Sequence, residues 1–386
     1  MYILVKMFRK AYTIPMKLIA ISNACVYTGE EILLNKAILI DENKIKAIIN
    51  PKEIPSNYSI IDFTGKSIAP GLIDLQIYGS GGKLFGGKPT IDALTQMETD
   101  MLRQGCTGFL ATVATNTSEI VLQAIESAKD FRKRTKGAFL GLHLEGPFLN
   151  PLRKGAHPKE YIRKASLTEV RNWVELSEGE IKMITIAPEL QDDEVIHYLL
   201  SQNIVISAGH SNATYTEATE FFKFGIQAAT HLFNAMPQIH HRDPGLITAI
   251  LKHKPFTSIV ADGIHVDFAI VELAKRELGN KLFLITDAVT ETNEGLYQHV
   301  FNKNYYSMPD GTLSGSCLTM WQAVKNCIQC AGIALDEALR MASTYPSQLI
   351  KKDHQIGFIK PGYQADFIAF DKKLIVQNTC ISGVLD

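Results

Sequence analysis

The sequence predicts an α/β protein, a TIM-type (β/α)8 barrel with a small β-sandwich domain built from both chain ends. Three observations carry that prediction. Apolar runs alternate with helical stretches eight times through the middle of the chain. The two ends read instead as short strands and turns. Histidines and carboxylates recur where the central apolar runs stop, and in a parallel βα barrel the carboxyl ends of all the strands open onto one face, where active sites sit.

Taken in order, residues 16–66 and 350–386 form the expected small domain. Leu18–Ile21, Ala37–Ile40 and Ile45–Ile49 are strand-like at one end, and Phe367–Phe370 at the other. Residues 67–349 make the barrel. Its expected strands are Ile68–Ile77, Phe109–Ala114, Ala138–Glu145, Met183–Ala187, Ile204–Gly209, Ala228–Leu232, Ser258–Ala261 and Lys281–Thr286. Helices are expected over Ile91–Gln104, Ile120–Arg134, Thr214–Phe224 (ended by Gly225) and Phe268–Leu278. Two stretches break the rhythm: a polar loop, Asn150–Ser166, and a hairpin insertion, Glu291–Gly315, turning at Pro309-Asp310-Gly311. Insertions on the active face usually bind substrate.

At 386 residues the chain exceeds one ordinary core, which suits a large domain with a smaller companion. Hydrophobic residues make up 46%, charged residues 20%, and the net charge is −1. That balance offers no nucleic-acid or membrane surface. No run approaches the ~20 apolar residues of a membrane helix. Met1–Ala20 mixes apolar residues with four cations and Pro15, so it lacks the core of a secretory signal, and Met16 is an alternative start. Six scattered cysteines make no disulfide framework, and the cytoplasm is the expected compartment.

The strand ends supply Glu145, His210, His231, His265 and Asp287. Glu145, His210 and His231 form a set of two imidazoles and one carboxylate, which leaves an open position for water on a divalent metal. Asp287 is then free to handle protons beside that water. Any one of these histidines could be a satisfied core side chain; five such residues at five strand ends argue for a site.

Pro70-Gly71-Leu72-Ile73-Asp74, opening the barrel, resembles the amidohydrolase superfamily. Within it, His143–Phe148, Ala208–Ala213, Thr230–Met236, Asp262–His265 and Thr286–Ala288 resemble, in order, the N-acetylglucosamine-6-phosphate deacetylase family. The resemblance runs from about Met16 to the carboxyl terminus. It implies a divalent metal, commonly zinc, held by Glu145, His210 and His231, with iron and cobalt compatible with the same donors. It implies Asp287 as the proton carrier and His157 as a substrate contact able to stabilise an oxyanion. Asn234, Ala235, Arg242 and His265 fall to the sugar-phosphate end, and Leu313, Ser314 and Gly315 to a further substrate segment. In the family the arginine comes from the neighbouring subunit, so a homodimer with Arg242 reaching the adjacent site is implied.

One departure matters. Many superfamily members carry His-x-His at the end of strand one, binding a second metal, whereas this chain has Gln76 and Tyr78. Gln is a poor ligand beside imidazole and carboxylate, so one metal per subunit is expected, with Tyr78 assigned to packing. The expected activity is hydrolysis of the N-acetyl group of N-acetylglucosamine 6-phosphate. The alternatives are the galacto epimer with the same chemistry, or a silent amino-sugar-phosphate sensor. Gly79-Ser80-Gly81-Gly82 reads as a βα loop, and Cys327-Ile328-Gln329-Cys330, late in a helix, as structural cysteines rather than a redox pair.

Overall fold

A computed structural model describes residues 18–292 and 295–386. The proposed start at Met16 lies outside the described residues. Eight parallel strands form the barrel: Leu72–Ile77, Cys106–Ala114, Phe139–Glu145, Ile181–Ile186, Val205–Ala208, Ala228–Ala229, Phe256–Ile259 and Leu282–Leu284. Each pairs with the next in sequence. All six residues of the first strand are buried, as expected for a strand covered on both faces.

Helices follow the strands at the expected places. Ile91–Arg103, Ser118–Arg132, Tyr215–Phe224 and Phe268–Leu278 match the anticipated spans to within two residues. Thr90, Thr117, Thr214 and Asp267 cap them by accepting from free amides of the first turn. A side-chain cap of this kind stabilises by about 1 kcal/mol. Gly225 closes its helix at φ +117°, a left-handed conformation costly for any other residue.

The seam between the eighth and first strands is narrow. Ala288 bridges Ile77, Tyr78 N–H donates to the Ala288 carbonyl (2.9 Å), and Asp287 N–H donates to the Gln76 carbonyl (3.0 Å). Asp74, fully buried, fastens the same seam from inside. Its carboxylate accepts from the amides of Gln76 (3.1 Å) and Thr286 (3.2 Å) and from the Thr286 hydroxyl.

The end sheet runs in the order Val384–Leu385, Val376–Ile381, Phe367–Phe370, Ser67–Pro70, Leu18–Tyr27, Ile32–Asp41, Lys44–Ile49, with Ser59–Asp62 also paired to Leu18–Tyr27. It buries its own cluster, including Ile21, Val26, Ile38, Ile40, Ile68 and Phe367. Two sequence expectations are corrected here. Ile68–Pro70, read as the start of the first barrel strand, belongs to the end sheet. The break falls at Gly71, where an added Cβ would come within 1.8 Å of Thr107 Oγ1. The insertion is a three-stranded antiparallel unit rather than a hairpin: Val300–Asn302, Tyr305–Ser307 and Leu313–Ser316. Its last strand bridges Ala288, which seats the insertion on the carboxyl rim of the barrel.

Candidate active site

Glu145 ends the third barrel strand. His210 and His231 follow close behind the fifth and sixth, and Asp287 behind the eighth. His210, His231 and Asp287 take positive φ of 47°, 35° and 55°. Such backbone costs about 1–3 kcal/mol per residue, and it is typically retained where a side chain must be aimed.

His231 Nε2 lies 3.1 Å from Glu145 Oε1 and 3.1 Å from His210 Nε2, and His210 Nε2 lies 3.5 Å from Glu145 Oε1. For donors 2.0–2.1 Å from a tetrahedral metal, adjacent donors stand about 3.3–3.4 Å apart. The three atoms therefore have the dimensions of one face of a metal tetrahedron. The proton arrangement agrees. His210 Nδ1 faces the Arg153 carbonyl at 2.8 Å, and a carbonyl only accepts. Its hydrogen is thus on Nδ1, and Nε2 presents a lone pair toward a carboxylate oxygen, which calls for a cation between them. The donor set fits a divalent metal.

Glu145, His157 and His210 also converge within 4.8 Å. His157 Nε2 addresses the other carboxylate oxygen, Oε2, at 3.2 Å. Oε2 accepts, so Nε2 is the donor there, and Nδ1 receives from Thr115 Oγ1 at 2.8 Å. That hydrogen makes His157 a poor ligand, and the triangle with His231 is the tighter one.

Burial pushes the Glu145 carboxyl up, but the imidazoles of His157, His210 and His231 gathered around it hold it well below its usual range. Burial, reinforced by His210, lowers the His157 imidazole to about 4. Burial raises the Asp287 carboxyl; His231 opposes that shift and Glu145 adds to it. His143 is a core residue. Its Nδ1 donates to the Leu75 carbonyl (3.0 Å) and Thr185 meets Nε2 (2.7 Å), starting a buried hydroxyl chain through Thr230 to Ser207.

The residues that replace His-x-His are not idle. Gln76 Nε2 stands 2.9 Å from Glu145 Oε1, 2.8 Å from Asp287 Oδ1 and 2.8 Å from Tyr78 Oη. The carboxylates can only accept, which fixes the amide's orientation and leaves Gln76 Oε1 buried without a partner among the described residues. Tyr78, expected to pack, also donates its hydroxyl to Glu145 Oε2. Tyr297 is a second residue that sequence reasoning missed: its hydroxyl donates to the Thr115 carbonyl (2.9 Å) beside His157. Neither contact had a motif to announce it.

These groups open into a cavity of about 220 Å³. It brings together Glu145, His157, His210, His231, Asn234, Ala235, His265, Asp287, Leu313, Ser314 and Gly315. His265 is fixed by Asp262, Oδ2 to Nδ1 2.6 Å. Arg242 is the exception. It is exposed on the loop before the helix Gly245–His253 and is absent from the described residues lining the cavity.

A βα barrel whose strand ends gather a carboxylate, two imidazoles and a second carboxylate around one cavity is the framework of a metal-dependent hydrolase. The chain belongs to the amidohydrolase family, whose model matches residues 67–385, and a NagA composite domain matches residues 18–68. The N-acetylglucosamine-6-phosphate deacetylase of Haemophilus influenzae is 32% identical over 375 residues, spanning 94% of this chain and 98% of that protein. The crystal structure of the N-acetylglucosamine-6-phosphate deacetylase from Pasteurella multocida superposes with a TM-score of 0.90 at 34% identity, covering 96% of this chain and 99% of that one. A Mycobacterium smegmatis N-acetyl-D-glucosamine-6-phosphate deacetylase mutant in complex with N-acetyl-D-glucosamine-6-phosphate gives 0.88 at 26% identity, covering 96% and 99%. No helix among the described residues is long and apolar enough to cross a membrane.

Proposed function

We propose that this chain hydrolyses the acetamide of N-acetylglucosamine 6-phosphate, releasing acetate and glucosamine 6-phosphate. The observation that carries the reading is the Glu145–His210–His231 triangle with Asp287 tied beside it through Gln76, in a chain whose relatives are such deacetylases. Glu145, His210 and His231 hold one divalent cation, zinc in this reading. A cation so held acidifies water and polarises an amide carbonyl.

The remaining steps belong to side chains. Asp287 accepts the proton of the attacking water and delivers it to the departing sugar nitrogen, because an amine anion does not leave. His157 turns its Nε2 hydrogen from Glu145 Oε2 to the carbonyl oxygen as negative charge builds there. His265 and the backbone at Asn234 and Ala235 receive the phosphate end, and the segment Leu313-Ser314-Gly315 lies against the sugar. Arg242 of the partner subunit completes the phosphate site, since within one chain it stands apart from the cavity and its planar fork suits a phosphate. The enzyme is then a cytoplasmic homodimer.

The test is acetate release from the gluco and galacto epimers side by side, together with elemental analysis of the purified protein. Release from the gluco epimer, with about one metal per chain, is the expected result. Absence of acetate release from either sugar by metal-loaded protein would return the barrel to a binding role.

A further inference from the structure

Tyr78 lies just beyond the first barrel strand, buried among Leu84, Val289 and Tyr297. Its ring packs, and its hydroxyl donates to Glu145 Oε2 in preference to Asp287 Oδ1, which lies 3.4 Å away, while accepting from Gln76 Nε2 at 2.8 Å. The two oxygens of that carboxylate have divided surroundings. Oε1 faces His231 Nε2 at 3.1 Å, His210 Nε2 at 3.5 Å and Gln76 Nε2 at 2.9 Å. Oε2 faces Tyr78 Oη and, at 3.2 Å, His157 Nε2. A carboxylate turns about its last carbon–carbon bond unless its oxygens are held separately, and a free one can offer both oxygens to one cation.

We infer that Tyr78 is a positioning residue, whose hydroxyl tethers Glu145 Oε2 so that Oε1 alone joins His210 and His231. The tether makes the carboxylate a one-oxygen ligand and keeps the rest of the coordination sphere for water and substrate. Gln76 completes the arrangement from the other side. It addresses Oε1 and Asp287 Oδ1 with the same Nε2, which spaces the ligand carboxylate from the proton-carrying one. This inference rests on the proposed ligand set.

The experiment compares wild type, Tyr78→Phe and Tyr78→Leu. Phenylalanine keeps the ring and deletes only the hydroxyl, whereas leucine also empties part of the packing site. Zinc affinity is measured by chelator competition on the metal-free proteins, and cobalt-loaded proteins are followed by visible absorption. Tyr78→Phe is expected to weaken zinc binding by about 10–100-fold, the usual effect of removing a hydrogen bond behind a ligand. Its cobalt bands should lose intensity as the carboxylate, then held at Oε2 by His157 alone, turns to bind through both oxygens and coordination rises from four. Wild-type zinc affinity and an unchanged cobalt spectrum in Tyr78→Phe, with loss appearing only in Tyr78→Leu, would overturn the inference and return Tyr78 to packing. Should wild type itself bind no divalent ion, the ligand set fails instead, so the two failures are distinguishable.

Discussion

His210 and His231 bring their Nε2 atoms to 3.1 Å of each other, and His210 has no hydrogen to offer there because its own lies on Nδ1 against Arg153. Two nitrogens placed this way beside a carboxylate oxygen form a binding face for a cation. Glu145→Ala should therefore lose metal and activity together. Asp287→Asn should keep its metal and lose about 10²–10⁴-fold in kcat, the range for removing a general acid–base. Metal analysis alongside acetate release separates the two outcomes; equal metal loss in both variants would contradict the division of roles.

His157 touches Glu145 through Nε2 and Thr115 through Nδ1, so its hydrogen already points into the site. His157→Asn should lower kcat by about 10²-fold, near the lower end for losing one oxyanion donor. Zinc affinity should fall by much less than in His231→Asn. Steady-state kinetics with chelator competition checks both halves.

Arg242 lies outside its own chain's cavity, and a dimer in which it crosses over predicts complementation. Arg242→Ala alone and Asp287→Asn alone should each be nearly inactive at low substrate. Co-refolded one to one, half the dimers are mixed, and each mixed dimer holds one site with both residues intact. About a quarter of wild-type activity should return, as follows from a two-fold symmetric assembly. No recovery on mixing would place Arg242 elsewhere.

Asp74 offers a pH test. Burial raises its carboxyl to about 7, against the hydrogen bonds from Thr286 and Gln76 that lower it. Between its unfolded value, about 4, and the folded value the native state holds the extra proton, so this group's contribution to stability falls as pH rises across that window. Asp74→Asn, which imitates the protonated form, should gain on wild type in melting temperature between pH 5 and pH 8. A difference that stays flat over that range would show that the hydrogen bonds outweigh burial.

Gly71→Ala should cost about 1–3 kcal/mol by overpacking, since the new Cβ meets Thr107 Oγ1 at 1.8 Å. Thr107→Gly in the same chain should recover most of the loss. Thermal melts of the single and double variants decide it.

The barrel was legible because βα alternation is written in hydrophobic period, and the convergence of Glu145, His210, His231 and Asp287 because strand ends share one face. The sequence could not show where one sheet yields to another across Pro70-Gly71, since both halves of that run are equally apolar and only the contact with Thr107 separates them. Nor could it show the work of Tyr78 and Tyr297, because a hydroxyl at the tip of a buried aromatic looks like packing until its partner is in place. Arg242 was assigned through resemblance alone; it is exposed and stands apart from the described residues that line the cavity.

The strand Ser67–Pro70 lies between Leu18–Tyr27 and Phe367–Phe370. During synthesis the first of these neighbours is present early, while the second leaves the ribosome only after the whole barrel has been made. For that interval Ser67–Pro70 carries a bare hydrogen-bonding edge, the kind of surface that recruits stray strands from other chains. Shortening the chain before Phe367 would make that transient exposure permanent, so the expected result is aggregation, even though every proposed metal ligand and catalytic group would still be encoded.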